Sequence, residues 1–308
     1  MTFRKLWFIP ILLILITSCG TLKLFKYQFK ETVNPSTFKT EVSFLYQKED
    51  RIFIPVFFEK ENLTRTLLFD THAPFCIYNS MVENSKEFIK VGESSRKTPD
   101  GKTFKTVSYL TDGVKFGTTT FNHVLTNGIP DKTTSDNQKY DGIFGDNLLI
   151  KGIWKIDFAK NIITFTNSID SIDNLQDAEK ITTSYSRSDN FVIDILFENN
   201  FKENFEVDLG YNGYITLPKS KFDKIDTDHK ATIKNSTVTS IAGTQEVTQY
   251  KLSNTIVKFS DRSSPLNTTL ISSSVMKKKL LGVGFFSMFK FVVFDYTNKT
   301  IYLSKETR

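Results

Sequence analysis

Short alternating runs of apolar and polar residues recur along the chain and are typical of β-strands. The strongest runs are rich in β-branched and aromatic residues and are bounded by polar turn residues. They lie at 51–58 (RIFIPVFF), 65–70 (RTLLFD), 153–158 (IWKIDF) and 161–167 (NIITFTN). Helical periodicity is confined to short stretches near 80–88 and 219–225. The pattern therefore predicts an all-β protein with a few short helices.

This strand pattern occurs twice. Residues 53–77 align without a gap on residues 191–215, so a shift of 138 positions relates the two segments. In each segment an apolar strand ends in an aspartate, which is followed by a tight turn and a second apolar strand. The two aspartates, Asp70 and Asp208, coincide in this alignment. The repeat predicts two copies of one β unit.

The later part of each unit is repeated as well. Residues 140–165 resemble residues 280–303, and Asp157 and Asp295 within them differ by the same 138 positions. Both of these aspartates precede a strand, a turn and a further strand. We expect them to be turn or loop carboxylates.

Each unit also has glycines at comparable places. Gly145 follows Asp70 by 75 positions, and Gly284 follows Asp208 by 76. One further turn signal lies between the blocks of each half. These signals are PDGK at 99–102, with Asp100 and Gly101, and IAGTQ at 241–245, with Gly243. We expect a turn at each signal.

The repeat divides the chain into segments. The two copies are joined by a polar, aspartate-rich stretch, and the first copy is preceded by an N-terminal tether. The predicted segments are a signal peptide at 1–18, a tether with the first strand at 19–40, a first lobe at 41–167, a linker at 168–186 and a second lobe at 187–308.

The N-terminal segment has the features of a secretory signal. Arg4 and Lys5 precede an apolar stretch at 6–16 that is too short to span a membrane comfortably, and ITSC then ends at Cys19. This ending resembles the bacterial lipobox, which implies cleavage before Cys19 and acylation of that residue. An ordinary signal peptide or N-terminal anchor is the alternative. We expect a lipid-anchored protein of the bacterial cell envelope, with the outer membrane or its periplasmic face favoured.

Composition disfavours several functional classes. The net charge of +6 comes from scattered lysines, and no basic patch interleaved with aromatic residues is visible, so we expect no nucleic-acid partner. Three dispersed histidines and two cysteines do not support a metal site, and no glycine-rich cofactor loop is evident. We therefore expect neither a metal nor a cofactor. Cys76, the second cysteine, is expected to pack as a small apolar residue beside Asp70.

The two repeated aspartates lie at the ends of segments that are suited to burial. Burying an ionised carboxylate is costly unless partners hold it, so Asp70 either caps its turn or serves in chemistry. A pseudo-twofold arrangement of the units would bring Asp70 and Asp208 together. Neighbouring carboxyl groups share one proton, so the ionised member can activate a water while the protonated member donates to a carbonyl. This pairing favours hydrolysis without a metal.

These residues resemble the motifs of the aspartic peptidases, in the bilobal pepsin-like or tandem retropepsin-like form. Each lobe of that family carries an apolar strand, Asp-Thr/Ser-Gly, a flap hairpin and two apolar residues followed by glycine. In the first half LLFDTHAP and IFG at 143–145 match this pattern, and in the second half DLG at 208–210 and LGVG at 281–284 match it. The resemblance covers roughly 50–165 and 188–304.

The resemblance implies two β-barrel lobes related by a pseudo-twofold axis, and a role for each matching residue. Asp70 and Asp208 correspond to the catalytic pair. The residues that would support them are Thr71, Gly210, Gly145 and Gly284. The flap-like hairpins would contain Asp100, Gly101 and Gly243.

The aspartate turns depart from the family pattern at two positions. His72 replaces glycine and is expected to be a substituted turn residue rather than a general base. Leu209 replaces the hydroxyl residue with which the family braces its two loops, so Thr71 can supply only half of that brace. Two functions remain open: a membrane-anchored endopeptidase that hydrolyses extended peptides through the aspartate pair and a water, or an inactive relative that binds peptide or a partner protein in the cleft between the lobes. We expect a monomer in either case.

Overall fold

The computed structural model describes most of the chain after the predicted signal peptide. The described residues are 27, 30–46, 51–83, 85–97, 103–131, 140–186, 190–228, 230–240, 243–259 and 265–308. The predicted signal peptide and Cys19 lie outside them. Within them, no helix combines the length and the apolar character that a membrane span requires.

Strands account for most of the secondary structure. The strands up to residue 166 are β1 (Thr32–Asn34), β2 (Lys39–Ser43), β3 (Phe53–Phe58), β4 (Leu63–Phe69), β5 (Cys76–Tyr78), β6 (Ile89–Lys97), β7 (Thr103–Thr111), β8 (Val114–Phe116), β9 (Thr119–Asn122), β10 (Val124–Ile129), β11 (Gly142–Phe144), β12 (Ile153–Asp157) and β13 (Ile162–Thr166). The later strands are β14 (Ala178–Ile181), β15 (Ser184–Tyr185), β16 (Phe191–Phe197), β17 (Lys202–Asp208), β18 (Ile215–Thr216), β19 (Thr232–Ser240), β20 (Gly243–Phe259), β21 (Leu266–Ser273), β22 (Leu280–Gly282), β23 (Phe291–Asp295) and β24 (Thr300–Ser304). The four strands expected from the strongest apolar runs are confirmed as β3, β4, β12 and β13.

Helices in the described residues are single turns. They are α1 (Asn79–Val82), α2 (Asp146–Leu149), α3 (Lys219–Phe222) and α4 (Val283–Phe286), with 3-10 turns at Ile169–Ser171 and Leu175–Asp177. The helices predicted near 80–88 and 219–225 are present as α1 and α3, although each is shorter than its pattern. The sequence did not predict α2 and α4, because three of the four residues of α2 and all four of α4 are buried and leave no amphipathic stripe.

Two of the three sheets correspond to the repeated units. Ten strands of the first half form a sheet in the order β1-β9-β8-β3-β4-β11-β5-β10-β7-β6, which we call the first lobe. Eight strands form the second lobe, in the order β15-β16-β17-β22-β18-β21-β20-β19, and pairing of β16 with β20 curls this sheet onto itself. The predicted all-β fold of two related lobes is confirmed.

The same strand arrangement surrounds both aspartates. In the first lobe β4 pairs antiparallel with β3 and parallel with β11. In the second lobe β17 pairs antiparallel with β16 and parallel with β22. Asp70 directly follows β4, and Asp208 is the last residue of β17. The sequence repeat is therefore a repeat of structure, with one aspartate at the same corner of each unit.

A third sheet joins the lobes, in the order β14-β24-β23-β12-β13-β2. Its centre is the antiparallel pair β12 and β23, in which Ile153 lies opposite Asp295 and Asp157 lies opposite Phe291. These two strands are equivalent in the repeat. The terminal hairpin of each copy thus pairs with that of the other, which leaves neither with an unpaired inner edge.

The segment predicted as a linker, 168–186, contributes to the sheets. β14 pairs with β24 in the joining sheet, and β15 pairs with β16 in the second lobe. The polar composition that marked this segment reflects its partly exposed residues and its two 3-10 turns. The chain therefore passes from one lobe to the other along paired strands.

Aromatic packing fixes the strand that carries Asp70. Phe69 stacks on Phe144 with ring centroids 6.2 Å apart, and Trp154 stacks on Phe165 at 3.9 Å. All four side chains are almost fully buried. Burial of such a side chain contributes about 1.5–3 kcal/mol to stability. The core thus holds the residue directly before Asp70 in place.

Candidate active site

Asp70 lies at the point where β4 turns away from its parallel neighbour. Its backbone N–H donates to Phe144 O at 3.1 Å. Its Oδ1 accepts hydrogen bonds from the N–H of His72 at 2.7 Å and from that of Ala73 at 3.2 Å. One carboxylate oxygen therefore caps the turn, as one interpretation of the sequence expected.

Asp208 occupies the equivalent corner of the second lobe. Its Oδ1 accepts from the N–H of Tyr211 at 3.1 Å, and the N–H of Gly210 also bonds its carboxylate. The pairing of Asp208 with Gly282 in the parallel strands β17 and β22 holds the corner. Both aspartates thus use backbone donors of their own turns, which favour the ionised form.

The two turns meet at Gly210. A Cβ atom placed on Gly210 would lie only 2.2 Å from Asp70 Oδ2, so the backbone of the second turn packs directly against the carboxyl group of the first. Glycine is required there because any side chain would overlap that oxygen. While Oδ1 of Asp70 caps its own turn, Oδ2 is thus available at the junction of the lobes. The structure brings together the two aspartates that the repeat singled out.

Burial and mutual repulsion change the ionisation of the pair. Each aspartate is only 9% exposed. Burial, followed by the charge of Asp208, raises the pKa of Asp70 to about 7. Burial also raises the pKa of Asp208 to about 6, against the opposing charge of Lys278. At mildly acidic pH the pair therefore holds one proton, which is the state that general acid–base hydrolysis needs.

A one-sided hydrogen-bond brace links the turns. The hydroxyl of Thr71 donates to Val207 O at 3.1 Å and accepts from the N–H of Leu209 at 3.0 Å. Both partners belong to the second lobe. Leu209 is fully buried and has no hydroxyl with which to return the contact. This is the half-brace that the sequence predicted from Thr71 and Leu209.

The glycine predicted for the second lobe needs a correction. Gly145 precedes α2, and the N–H of the next residue, Asp146, donates to Ala73 O at 2.8 Å. Its equivalent is Gly282, because Val283 N–H donates to Tyr211 O at 2.8 Å and Ala73 aligns with Tyr211. A Cβ on Gly145 would lie 2.1 Å from Ala73 O, and one on Gly282 would lie 2.2 Å from Gly213 O.

The prediction of Gly284 was therefore wrong by two residues. Gly284 lies inside α4, where a Cβ would keep 3.0 Å from its nearest neighbour. The sequence offered two glycines in LGVG, and the choice assumed a loop one residue longer than in the first lobe. The strand register shows a loop one residue shorter.

Paired strands flank both of the predicted turn signals. β6 and β7 form a hairpin in the first lobe, and β19 and β20 form one in the second. Asp100 and Gly101 lie outside the described residues. Gly243 pairs with Ser240 at the tip of the second hairpin. The flap-like role of these hairpins stays a prediction.

The sequence did not predict a polar cluster that crosses from His72 to the second lobe. The Nδ1 atom of His72 lies 2.5 Å from the amide of Asn190, and its Nε2 atom lies 2.6 Å from Lys278 Nζ. The carboxylate of Glu206 lies 3.6 Å from Nε2. We call these four residues the His72 cluster. One available signal was Glu206, which is two residues before Asp208 and therefore on the same face of β17.

Comparisons with solved structures show the fold. Conglutin gamma from lupine seeds has a TM-score of 0.58 at 10% identity, with 88% of this chain and 96% of that chain covered. An aspartic proteinase from Irpex lacteus gives 0.57 at 15% identity over 87% and 97% of the two chains, and basic 7S globulin from soybean gives 0.52 at 9% over 88% and 95%. No protein-family model and no curated protein matches the sequence. The chain has the two-lobed β fold that the aspartic proteinase from Irpex lacteus also has.

Proposed function

We propose that this protein is an aspartic-type endopeptidase that hydrolyses extended peptides between its lobes. The observation that carries the proposal is the contact of the Asp208 turn with the carboxyl group of Asp70, which places two buried carboxyls at one junction. Their raised pKa values let one member stay protonated while the other is ionised near pH 6 to 7. A pair in that state supplies both an acid and a base.

The chemistry uses one water and no covalent intermediate. The ionised carboxylate takes a proton from the water while the water oxygen forms a bond to the peptide carbonyl carbon. The protonated carboxyl gives its proton to the carbonyl oxygen, so a neutral diol results. The carboxyl that took the proton of the water then gives it to the peptide nitrogen, while the other carboxylate takes a proton from one diol hydroxyl. The C–N bond breaks, a carboxylic acid and an amine are released, and the pair returns to its starting state.

The strand architecture supports an extended substrate. The β6–β7 and β19–β20 hairpins each extend from a sheet, and a peptide in β conformation can pair with exposed strand backbone. In this proposal the first-lobe hairpin acts as a flap over the peptide. Main-chain pairing would then give affinity, and the side-chain surroundings of each aspartate would give specificity.

The proposal is tested with full-length protein and fluorescein-labelled casein between pH 3 and pH 8. We expect cleavage to be fastest at mildly acidic pH, rising as Asp208 ionises near 6 and falling as Asp70 loses its proton near 7. Asp70→Asn and Asp208→Asn should each reduce the rate at least about 100-fold, since each removes one of two complementary roles.

The matched control is Asp157→Asn. Asp157 also caps a turn, since its Oδ1 accepts from the N–H groups of Ala159 and Lys160, but it lies in the joining sheet away from the pair. This variant should keep the wild-type rate. Absence of cleavage by the wild-type protein across the whole pH range would exclude the peptidase proposal.

A second function is binding without hydrolysis. Two observations favour it: the brace between the turns is one-sided, and two of the structures compared above are named as 7S globulins rather than as proteinases. In that case the cleft would hold a peptide or a partner protein. Fluorescence anisotropy with labelled extended peptides distinguishes the two functions, because a pure binder retains the signal indefinitely whereas a peptidase loses it with time.

We also propose that the protein is anchored to the cell envelope through lipid on Cys19. The support is the sequence ITSC after an apolar segment that is too short to span a membrane. Cys19→Ser should prevent acylation and move the protein into the soluble fraction after cell lysis. Membrane association of this variant, with its N-terminal segment removed, would point to a different anchor.

A further inference from the structure

Hydrogen-bond chemistry fixes the protonation of His72. The ammonium of Lys278 carries only donors, so Nε2 of His72 must accept its hydrogen bond. The ring proton is then on Nδ1. The nearest atom of Asn190 is Nδ2, which only donates, so this assignment requires the amide to be turned by 180°, with its oxygen accepting from Nδ1–H. Burial and the charge of Lys278 lower the pKa of His72, in agreement with a neutral ring. The cation of the His72 cluster is therefore Lys278.

The cluster anchors this cation beside both aspartate turns. The backbone N–H of His72 donates to Asp70 Oδ1, while the ring of the same residue holds Lys278. From the other side, Glu206 lies 3.9 Å from Lys278 Nζ and only two residues before Asp208. The side chain of His72 is 14% exposed and that of Lys278 is 40% exposed, so the contact is shielded from solvent on the side of His72.

The charges around the pair act unequally on its two members. Lys278 favours the ionised form of Asp208, and Glu206 opposes it more weakly. Asp70 instead experiences the charge of Asp208, which opposes its ionisation. His72 would favour ionisation of Asp70 only if it were charged. The titratable groups that interact with the pair are His72, Glu206, Tyr211, Lys278 and Tyr296, and burial keeps both tyrosines neutral by raising their pKa.

We infer that Lys278, held by His72, is a positioning residue that keeps the shared proton on Asp70 and leaves Asp208 as the ionised carboxylate. The inference rests on the proposed peptidase function and assigns its two roles. Asp208 takes the proton of the attacking water, and Asp70 protonates the carbonyl oxygen of the substrate. A pair of equivalent carboxyls has no fixed direction of proton transfer, and the His72 cluster supplies one.

The direct test follows the ionisation of both carboxyls by NMR, without any need for turnover. Full-length protein labelled with 13C at the aspartate carboxyl carbon is titrated from pH 3 to pH 9, and the two signals are assigned with Asp70→Asn and Asp208→Asn. In the wild type we expect Asp208 to ionise before Asp70. Lys278→Met should raise the midpoint of Asp208 by about one unit, which leaves about tenfold fewer ionised molecules at pH 5.

Loss of Lys278 also releases Nε2 of His72, which can then gain a proton and replace part of the missing charge. The double variant with His72→Gln and Lys278→Met removes that substitute and should show the full shift. Lys278→Arg keeps the charge and should keep the wild-type order. The control is Lys277→Met, which removes the neighbouring exposed lysine and should leave both midpoints unchanged.

The inference is overturned if Asp70 ionises first in the wild type. It is also overturned if the midpoint of Asp208 moves by less than about 0.2 units in the double variant, well below the effect of a nearby opposite charge.

The casein assay separates this result from failure of the proposed function. A wild type that cleaves while the midpoints stay fixed contradicts the inference alone. A wild type that never cleaves contradicts the peptidase proposal. The NMR titration still decides whether Lys278 makes Asp208 ionise before Asp70. In a working enzyme, Lys278→Met should shift the acidic limb of the pH–rate profile upward and leave the basic limb nearly in place.

Discussion

The two aspartate turns have the same backbone and different chemical surroundings. Two residues before Asp70 the first lobe has Leu68, which packs in an apolar cluster with Cys76, Tyr78, Ile129 and Ile143. Two residues before Asp208 the second lobe has Glu206, which belongs to the His72 cluster. Ladder hydrogen bonds and turn caps fix the backbone of each corner, so the side chains beside it were able to diverge.

The apolar cluster includes Cys76, which is 3% exposed. The prediction that Cys76 packs as a small apolar residue is confirmed, and its thiol also bonds Pro74 O at 3.1 Å. The buried apolar residues on either side of Asp208, Val207 and Leu209, belong to the main core cluster instead. The lobes thus differ in polarity next to the pair, while the strands that lead into the two turns have equivalent pairings.

The contacts between the turns are also unequal. Thr71 reaches the second lobe with two hydrogen bonds, and Leu209 returns none through its side chain. His72, which stands where the first turn would have its glycine, provides other contacts with the second lobe. The hydrogen bond that Leu209 cannot return is thus replaced by the contacts of His72, the residue after Thr71. A pseudo-twofold site can lose symmetry in this way and still keep its two turns connected.

The largest effect is expected for Gly210→Ala. Its Cβ would lie 2.2 Å from Asp70 Oδ2, so the two turns would have to separate. We expect the peptidase rate to fall at least about 100-fold and the free energy of unfolding to fall by about 1–3 kcal/mol, as for other overpacked sites. Casein cleavage and urea unfolding measure these changes. The equivalent position in the first lobe already carries a side chain, so His72→Ala should be tolerated by the fold. Equal losses in the free energy of unfolding for both variants would contradict this difference between the two turns.

Thr71→Val should be next in size. It leaves the buried N–H of Leu209 and the carbonyl of Val207 without the hydroxyl, at a cost of about 1–3 kcal/mol in the free energy of unfolding. Urea unfolding at constant pH measures the loss. Thr232→Val is the control, because its hydroxyl makes a single hydrogen bond at the surface and its loss should cost less than about 0.5 kcal/mol. Similar values for both variants would show that the brace is unimportant.

The pair should make the protein more stable at acidic than at neutral pH. Because the pKa of Asp70 is raised to about 7 and that of Asp208 to about 6, the folded state retains protons that the unfolded state releases near pH 4. Their contribution is therefore complete below about pH 4 and is lost as the pH rises through 6 and 7. Urea midpoints at pH 4.5, 5.5, 6.5 and 7.5 measure the slope.

Asp70→Asn should flatten this slope more than Asp208→Asn, since burial and the neighbouring charge raise the pKa of Asp70 further. Glu87 provides an internal reference in the first lobe. Burial, and then the charge of Glu61, raise the pKa of Glu87 to about 7, so a residual slope should remain without the pair and decrease with Glu87→Gln. A slope of opposite sign in the wild type would contradict this account.

The smallest effect is expected for Leu209→Thr, which would give the second turn the hydroxyl that the first already has. A new bond to the first lobe would offset part of the lost apolar burial, so stability should change by no more than about 2 kcal/mol. If the one-sided brace limits the pair, kcat/KM should rise a few-fold. Leu209→Val is the control, because it shortens the side chain without a hydroxyl, and an equal rise there would assign the gain to packing.

The strands were predictable from sequence because side-chain alternation is a local property. The runs at 51–58 and 65–70 became β3 and β4, and their partners one repeat later became β16 and β17. The two buried helices α2 and α4 escaped prediction, since a single turn without an exposed face carries no period. The joining sheet was not predicted either, because β12 pairs with β23 and these two strands lie 138 positions apart in the sequence.

The sequence by itself determined the β architecture, the duplication and the equivalence of Asp70 with Asp208. Periodic patterns and gapless repeats depend only on the order of residues and require no knowledge of tertiary contacts. Only the tertiary structure decided that Gly282, rather than Gly284, completes the second corner, since strand register is set by hydrogen bonds to β17. It also decided the partners of His72, which lie 118 and 206 positions away. Contacts between such distant residues depend on how two packed lobes meet, and no local pattern encodes that distance.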